Sequence, residues 1–340
     1  MFHDSYSFKS GISEAIRRDL ADVVECALHF KPNPRNWLDI ACNDGTLLGN
    51  VPENVFRVGV DPLLQFAAEA SGCADVVISE FFSRDAVTAS ISGGRTFDVV
   101  TSISMFYDLD DPNTFVSEVG DILAENGVWI IQQNYLPSML QNRSLDNLSH
   151  EHLAYYSMQS LEPLLQRHGL EVVFAELNPI NGGCFRTVVS HIGQLQPDPT
   201  VQLLRTLEEQ SDLSYEEFAE HARDTLDDLR ELVYDIKDRG EQVFVYGAST
   251  RGAVIWQAAE LDVEELPYVV ERNPAKVGRY MSAIGAPVIS EEEARAMSPE
   301  YFLLGPWWLR DDIVEREREY LAKGGKLIIP LPKLEIVDNS

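Results

Sequence analysis

The sequence predicts an α/β chain with two Rossmann-like sheets in tandem, and three observations carry that prediction. The first is the stretch Trp37 to Leu48, W-L-D-I-A-C-N-D-G-T-L-L. An apolar run ends at Asp39, small and turn-forming residues follow, then Gly45, then an apolar restart. A buried parallel strand hands over to a helix through a tight loop in this way. The second is the alternation of strand-length apolar runs with helical patterns as far as Gln132, the repeat of a doubly wound parallel sheet. The third is a second strand, glycine turn and helix at Gln242 to Gly252, Q-V-F-V-Y-G-A-S-T-R-G.

Composition narrows the class. The chain has 340 residues, enough for two domains, with 45% hydrophobic and 9% aromatic residues. No apolar run approaches the length that spans a bilayer, and Met1-Phe2-His3-Asp4-Ser5 lacks a basic-then-apolar signal. We therefore expect a cytoplasmic protein without a membrane partner. A net charge of −28 argues against nucleic acid, because phosphate binding needs a basic face. An anionic substrate needs a local cluster of Arg and Lys against that background. Cys26, Cys42, Cys73 and Cys184 form no C-x-x-C pair, so we expect buried or loop thiols and no metal site.

In chain order, Asp4 to Ser13 is a polar arm with two aromatics. It reads either as the lead into a helix capped by Ser13, running from Glu14 towards His29, or as a lid with Tyr6 and Lys9 facing a cleft. Strands follow at Phe56 to Val60, Ala74 to Ile78, Phe97 to Ile103 and Val128 to Gln132. Pro112 sits in the first turn of the helix before the last of these. Leu161 to His168 reads as a helix. Leu170 to Glu176 and Phe185 to Val189 read as a hairpin turned by Asn181-Gly182-Gly183. The expected division is residues 1–195, a linker with a long helix over 196–240, and a smaller α/β domain over 241–340. The long helix, Tyr215 to Lys237, has apolar residues at spacings of three and four and is expected to brace the two domains. Strands near Tyr268 to Val270, Pro287 to Ile289, Tyr301 to Leu304 and Lys326 to Pro330, with a helix from about Arg310 to Leu321, complete the second sheet.

The first corner has a partner in sequence. The strand F-R-V-G-V ends at Asp61, and a carboxylate at the tip of a second strand can take both hydroxyls of a ribose. The loop lacks the three-glycine pattern that seats a pyrophosphate, so a ligand without one fits better. D-I-A-C-N-D-G followed by V-G-V-D resembles motifs one and two of class I S-adenosylmethionine (SAM) methyltransferases. The resemblance implies a seven-strand sheet and SAM as cofactor. It puts Asp39, Ala41, Asn43, Gly45, Asp61 and Ser102 at the cofactor, with Phe81 and Phe82 against its adenine; the plainer reading makes both phenylalanines core.

His150-Glu151-His152 is the densest titratable cluster. Histidine takes a proton near neutral pH, and a neighbouring carboxylate can hold or replace it as base. Three successive residues make a poor metal pattern, because their side chains diverge. The wider chain is similar to the sugar C-methyltransferases that act on nucleotide-linked deoxysugars. Asp39 to Leu48, Glu151 to Ser157, Asn181-Gly182-Gly183 with Arg186, Tyr246-Gly247-Ala248 with Gly252, Asn273-Pro274-x-Lys276-x-Gly278, Trp307 and the closing G-G-K-L-I-I-P-L-P carry the likeness. It implies methylation of a carbon beside a ketone after a base forms an enolate, with Glu151 and His152 matching the family's base pair. Arg186, Lys276 and Arg251 are candidates for a diphosphate, with a surface role open for Arg251. Tyr6, Ser104, Ser149 and Ser249 are further candidates at the substrate.

The chain departs from the family's pattern in four places. It begins at the polar arm, where the family begins with a cysteine-rich zinc module. Ser149 stands where the family has Tyr. Ser104 and Asp108 stand where it has Asn and His, which makes Asp108 an alternative base. An O-methyltransferase acting on a sugar hydroxyl, a catalytically degenerate sugar-nucleotide binder and a dinucleotide oxidoreductase at Tyr246 to Gly252 are the competing readings. The expected partner is a small molecule, and the chain is a monomer or homodimer.

Overall fold

A computed structural model describes residues 8–91 and 94–339. Asn36–Ile40 (β1) is buried at four of its five positions, as a central parallel strand must be. Around it lie Phe56–Val60 (β2), Val76–Ile78 (β3), Phe97–Ile103 (β4), Leu123–Asn134 (β5), Leu170–Asn178 (β6) and Cys184–His191 (β7). Their order is β3-β2-β1-β4-β5-β7-β6. All neighbours pair parallel except β7, which runs antiparallel to both β5 and β6. The expected seven-strand sheet with its terminal hairpin is present.

One face of this sheet is packed by Leu38, Ile40, Val58, Phe106, Phe115 and Trp129. The other carries Trp37, Val99, Val128 and Ile130 against the helix Glu14–Phe30, which buries Leu20, Val23, Val24 and Ala27. Each such aliphatic side chain stabilises the fold by about 1.5–3 kcal/mol relative to exposure. Ser13 caps that helix through the Ile16 N–H, and Pro112 opens the helix Pro112–Ile122 behind an Asp111 cap.

The second sheet comprises Val243–Tyr246 (β8), Val269–Glu271 (β9), Tyr280–Met281 (β10), Ala286–Ser290 (β11), Tyr301–Leu304 (β12), Lys326–Ile329 (β13) and Glu335–Val337 (β14). Its order is β10-β11-β9-β8-β12-β13-β14, with antiparallel strands only at the two edges. Those edge strands are two and three residues long, too short to show a period in the sequence. The single helix expected over Arg310 to Leu321 is two, Arg310–Arg316 and Arg318–Ala322. The break falls at Glu317, which is 1% exposed and accepts hydrogen bonds from the Tyr246 hydroxyl (2.8 Å) and Arg295 Nη2 (2.6 Å). A buried carboxylate needs those partners, and meeting them interrupts the helix.

The compact units divide differently from the expected boundaries. One is the chain up to Leu136 together with Leu153–Ser211; the other is Pro137–His152 with the chain from Asp212 onward. The expected linker therefore splits. Helix Pro199–Glu209 belongs to the first unit, where Glu208 accepts from the Tyr135 hydroxyl and the backbone N–H groups of Met158 and Gln159. Helix Tyr215–Asp238, expected as a brace, buries Leu229, Val233 and Ile236 in the core of the second. No described helix is long and apolar enough to cross a membrane, and none of the four cysteines is in a disulfide.

Candidate active site

The loop after β1 bends through the left-handed region at Ala41 (φ 60°), Asn43 (φ 50°) and Gly45 (φ 78°). A side chain at Gly45 would meet the Ala70 Cα at 2.9 Å, so close packing as well as φ requires glycine there. The loop turns the Asn43 N–H onto Asp61 Oδ2 at 2.9 Å, and the Leu63 N–H donates to Asp61 Oδ1 at 2.9 Å. One bond to each oxygen fixes the carboxylate and leaves each oxygen a further lone pair for a ribose hydroxyl. Burial pushes the Asp61 pKa up against those two bonds. Asp39 lies beneath the loop, accepts from the Thr101 hydroxyl at 2.7 Å, and is raised to about 7 by burial. The geometry fits SAM at Asp61. Removing the carboxylate in Asp61→Ala should weaken SAM binding by about 1.5–3 kcal/mol in titration calorimetry; an unchanged Kd removes Asp61 from the cofactor site.

The arm is tied to the same loop. Asn43 Oδ1 accepts from the Ser10 N–H at 3.1 Å, Asn43 Nδ2 donates to the Phe8 carbonyl at 3.1 Å, and Asp44 accepts from the Gly11 N–H at 2.9 Å. Lys9 pairs with Glu69. Tyr6 lies outside the described residues.

Six candidate residues of the first unit sit as follows. The Ser102 side chain is fully buried and accepts from the Trp129 indole N–H at 3.1 Å, so it satisfies the core rather than facing a ligand. Phe82 packs on Phe115 with ring centroids 5.0 Å apart, the core reading, while Phe81 is 67% exposed. Arg186 is 1% exposed and paired with Asp19, Asp22 and Glu176, with Nε donating to Gln132 Oε1. Its charge neutralises carboxylates on two elements of the fold and is spent there. Ser104 (φ 54°) donates its N–H to the Gln132 carbonyl at 2.8 Å, and Asp108 closes a 3-10 turn over Phe106–Asp108.

Glu151 and His152 lie in the second unit, at the end of the stretch Pro137–His152. Ser149 is buried and shapes their turn: its Oγ accepts from the Glu151 N–H and its carbonyl from the His152 N–H. That occupies the residue expected at the substrate. His152 Nδ1 lies 2.8 Å from the Asn147 carbonyl. A carbonyl only accepts, so Nδ1 carries the proton and Nε2 is the ring's acceptor. Burial first, then the Arg251 charge, lowers the His152 pKa to about 4, against the pull of the Asn147 bond. The ring is therefore neutral at pH 7. Its folded pKa lies below the ordinary 6.5, so the unfolded chain binds the proton more readily. This contribution to stability is full above about 6.5 and is lost as pH falls towards 4. His152→Gln should flatten that part of the stability–pH curve in urea unfolding; an unchanged acid slope would mean that His152 titrates normally.

Ser249 caps the helix Thr250–Ala258, its Oγ accepting from the Gly252 N–H at 3.0 Å. Lys276 Nζ donates to the Ala248 carbonyl at 2.8 Å and lies 3.5 Å from Glu271, so it braces the turn after β8 instead of reaching for a diphosphate. Arg251 pairs with Asp146 at 2.6 Å, which replaces both the phosphate and the surface reading. Asp146 is fully buried and also accepts from the Trp307 indole N–H at 2.9 Å. Sequence reasoning passed over Asp146, because an isolated Asp carries no signal without its distant partners.

Comparison with known proteins gives two family matches along the chain. Residues 12–174 match the family described as a methyltransferase domain, and residues 179–332 match the C-methyltransferase C-terminal domain. C-methyltransferase NovU of Streptomyces niveus is 28% identical over 288 residues, covering 82% of this chain and 68% of that protein. Among solved structures, the N-methyltransferase NodS of Bradyrhizobium japonicum WM9 with S-adenosyl-l-homocysteine is 13% identical. The match covers 53% of this chain and 89% of NodS, with a TM-score of 0.41. The PH0226 protein of Pyrococcus horikoshii OT3 is 18% identical, covering 54% and 94%, with a TM-score of 0.42. The two matches lie in tandem along the chain, and the protein is a SAM-dependent methyltransferase whose C-terminal part matches the C-methyltransferase C-terminal domain.

Proposed function

We propose that the enzyme methylates a ring carbon beside a ketone in a nucleotide-linked deoxysugar. Similarity to a C-methyltransferase over most of the chain supports a carbon acceptor. The sugar nucleotide is supported by the family resemblance of the Glu151 to Ser157 and Asn181 to Arg186 stretches. Bound SAM supplies the electrophilic methyl. A carbon becomes a nucleophile only when the proton alpha to the carbonyl is removed and the C–H electrons pass into an enolate. The observation that carries the reading is the His152 ring: neutral, held by Asn147 with Nε2 as acceptor, and next in sequence to Glu151. Nε2 or the carboxylate takes the proton and later returns it to water.

The test is incubation with carbon-13 methyl SAM and a panel of nucleotide-linked 4-keto and reduced sugars, read by NMR. A new methyl on a tertiary or quaternary ring carbon is the expected product. A methyl on oxygen would keep the cofactor and discard the enolate.

A further inference from the structure

The second sheet has a topological switch point. β8 and β12 lie side by side and parallel. The chain leaves β8 for β9 on one side and leaves β12 for β13 on the other. In open α/β sheets, the crevice beyond the carboxyl ends of such a strand pair receives the ligand. Here it receives the chain itself. Arg251 stands in the first turn of the helix after β8, and Trp307 in the short turn after β12. Both hold Asp146 Oδ2, Arg251 Nη2 at 2.6 Å and Trp307 Nε1 at 2.9 Å. Leu145 joins the core of this unit, and Ser144 and Asn147 are buried beside it. A carboxylate from residues 137–152 thus sits at the strand-to-helix corner where a nucleotide-binding sheet takes an anionic group.

A chain of bonds leads from this clasp to the imidazole. The Asn147 N–H donates to the Ser144 carbonyl and the Leu148 N–H to the Leu145 carbonyl, fixing the turn at Asp146. The Asn147 carbonyl takes His152 Nδ1–H, and Ser149 holds the N–H groups of Glu151 and His152. We infer that Arg251, acting through Asp146, is a positioning residue for methyl transfer: the ligand crevice of the second sheet is the seat of the segment that bears Glu151 and His152. This rests on the assignment of those two residues as the base pair. An ion pair suits the task because it admits one register, where an apolar plug tolerates sliding.

The test uses the full chain with Arg251→Met and Arg251→Lys. In Arg251→Met, kcat should fall by about 10²-fold, the scale of an ångström-sized misplacement of a reacting group. SAM affinity should stay within about twofold, because the cofactor loop belongs to the other unit. Arg251→Lys should restore most of the rate. Nitrogen-15 NMR of the imidazole should report protonated Nδ1 and unprotonated Nε2 in the native protein, and the commoner Nε2–H form in Arg251→Met. If that variant does not fold, Asp146→Asn with Arg251→Met removes the stranded charge and should show the same rate loss and the same ring spectrum. A folded variant with native kcat and a native ring spectrum overturns the inference. A changed ring spectrum with native kcat upholds the clasp and overturns the base assignment instead.

Discussion

Replacing Glu151 with Gln and His152 with Asn together should lower turnover by about 10²–10⁴-fold while leaving SAM affinity unchanged. Both groups are removed at once because either can serve as the base: Glu151 is a carboxylate, and the ring of the next residue has Nε2 as its acceptor. SAM binding is spared because Asp61 and the Asn43 N–H that orients it belong to the other compact unit. Methyl transfer from carbon-13 labelled SAM and calorimetric SAM binding, measured on one preparation, separate the two effects. Turnover retained in the double variant would move the base elsewhere, with Asp108 next in line. Turnover lost together with SAM binding would show that the substitutions disturb the fold.

Arg186→Met should cost about 3–5 kcal/mol in urea unfolding, the scale of stranding buried charge. The guanidinium touches Asp19 at 3.0 Å, Asp22 at 2.8 Å and Glu176 at 2.8 Å. The last two are 66% and 38% exposed and can return to water; Asp19, at 7%, cannot. The loss therefore falls on the bond between the helix Glu14–Phe30 and the sheet, and Asp19→Asn should recover part of it. A loss below about 1 kcal/mol would mean that the cation is not structural, and would return Arg186 to the candidates for a phosphate.

The strands were legible where an apolar run met a clear stop. β4 and β12 begin and end where the sequence puts them, and the glycine corner after β1 carries its own conformational reason. Position was legible where chemistry and topology coincide, as at Asp61, whose carboxylate is oriented at the tip of β2 by the Asn43 and Leu63 N–H groups. Site residues were misread where a polar residue answers a distant need. Ser102 at a strand end resembles a ligand contact, but the indole on the neighbouring strand requires an acceptor. Arg186 resembles a phosphate ligand, but its carboxylates come from as far as 167 positions away. Asp146 and Trp307, 161 positions apart, leave no local trace of their bond. A charge shows in sequence, and its partner does not, so burial of charge is where reading from sequence alone fails.

The segment Pro137–His152 is an excursion whose neck is closed in the first unit. The Leu136 N–H donates to the Tyr156 carbonyl, and the Leu153 N–H to the Tyr107 carbonyl. Its middle is pinned by Asp146 in the second. The chain is consequently not modular, although its sequence reads as two domains in series. A cut after Gln194 would deliver an intact cofactor loop with the proposed base pair on an unmoored tether, and the remaining half would carry an arginine with no carboxylate to hold. Neither half can be exchanged with a homologue by recombination at that junction without replacing residues 137–152 as well. The junction that the sequence suggests is therefore not the junction that the fold uses.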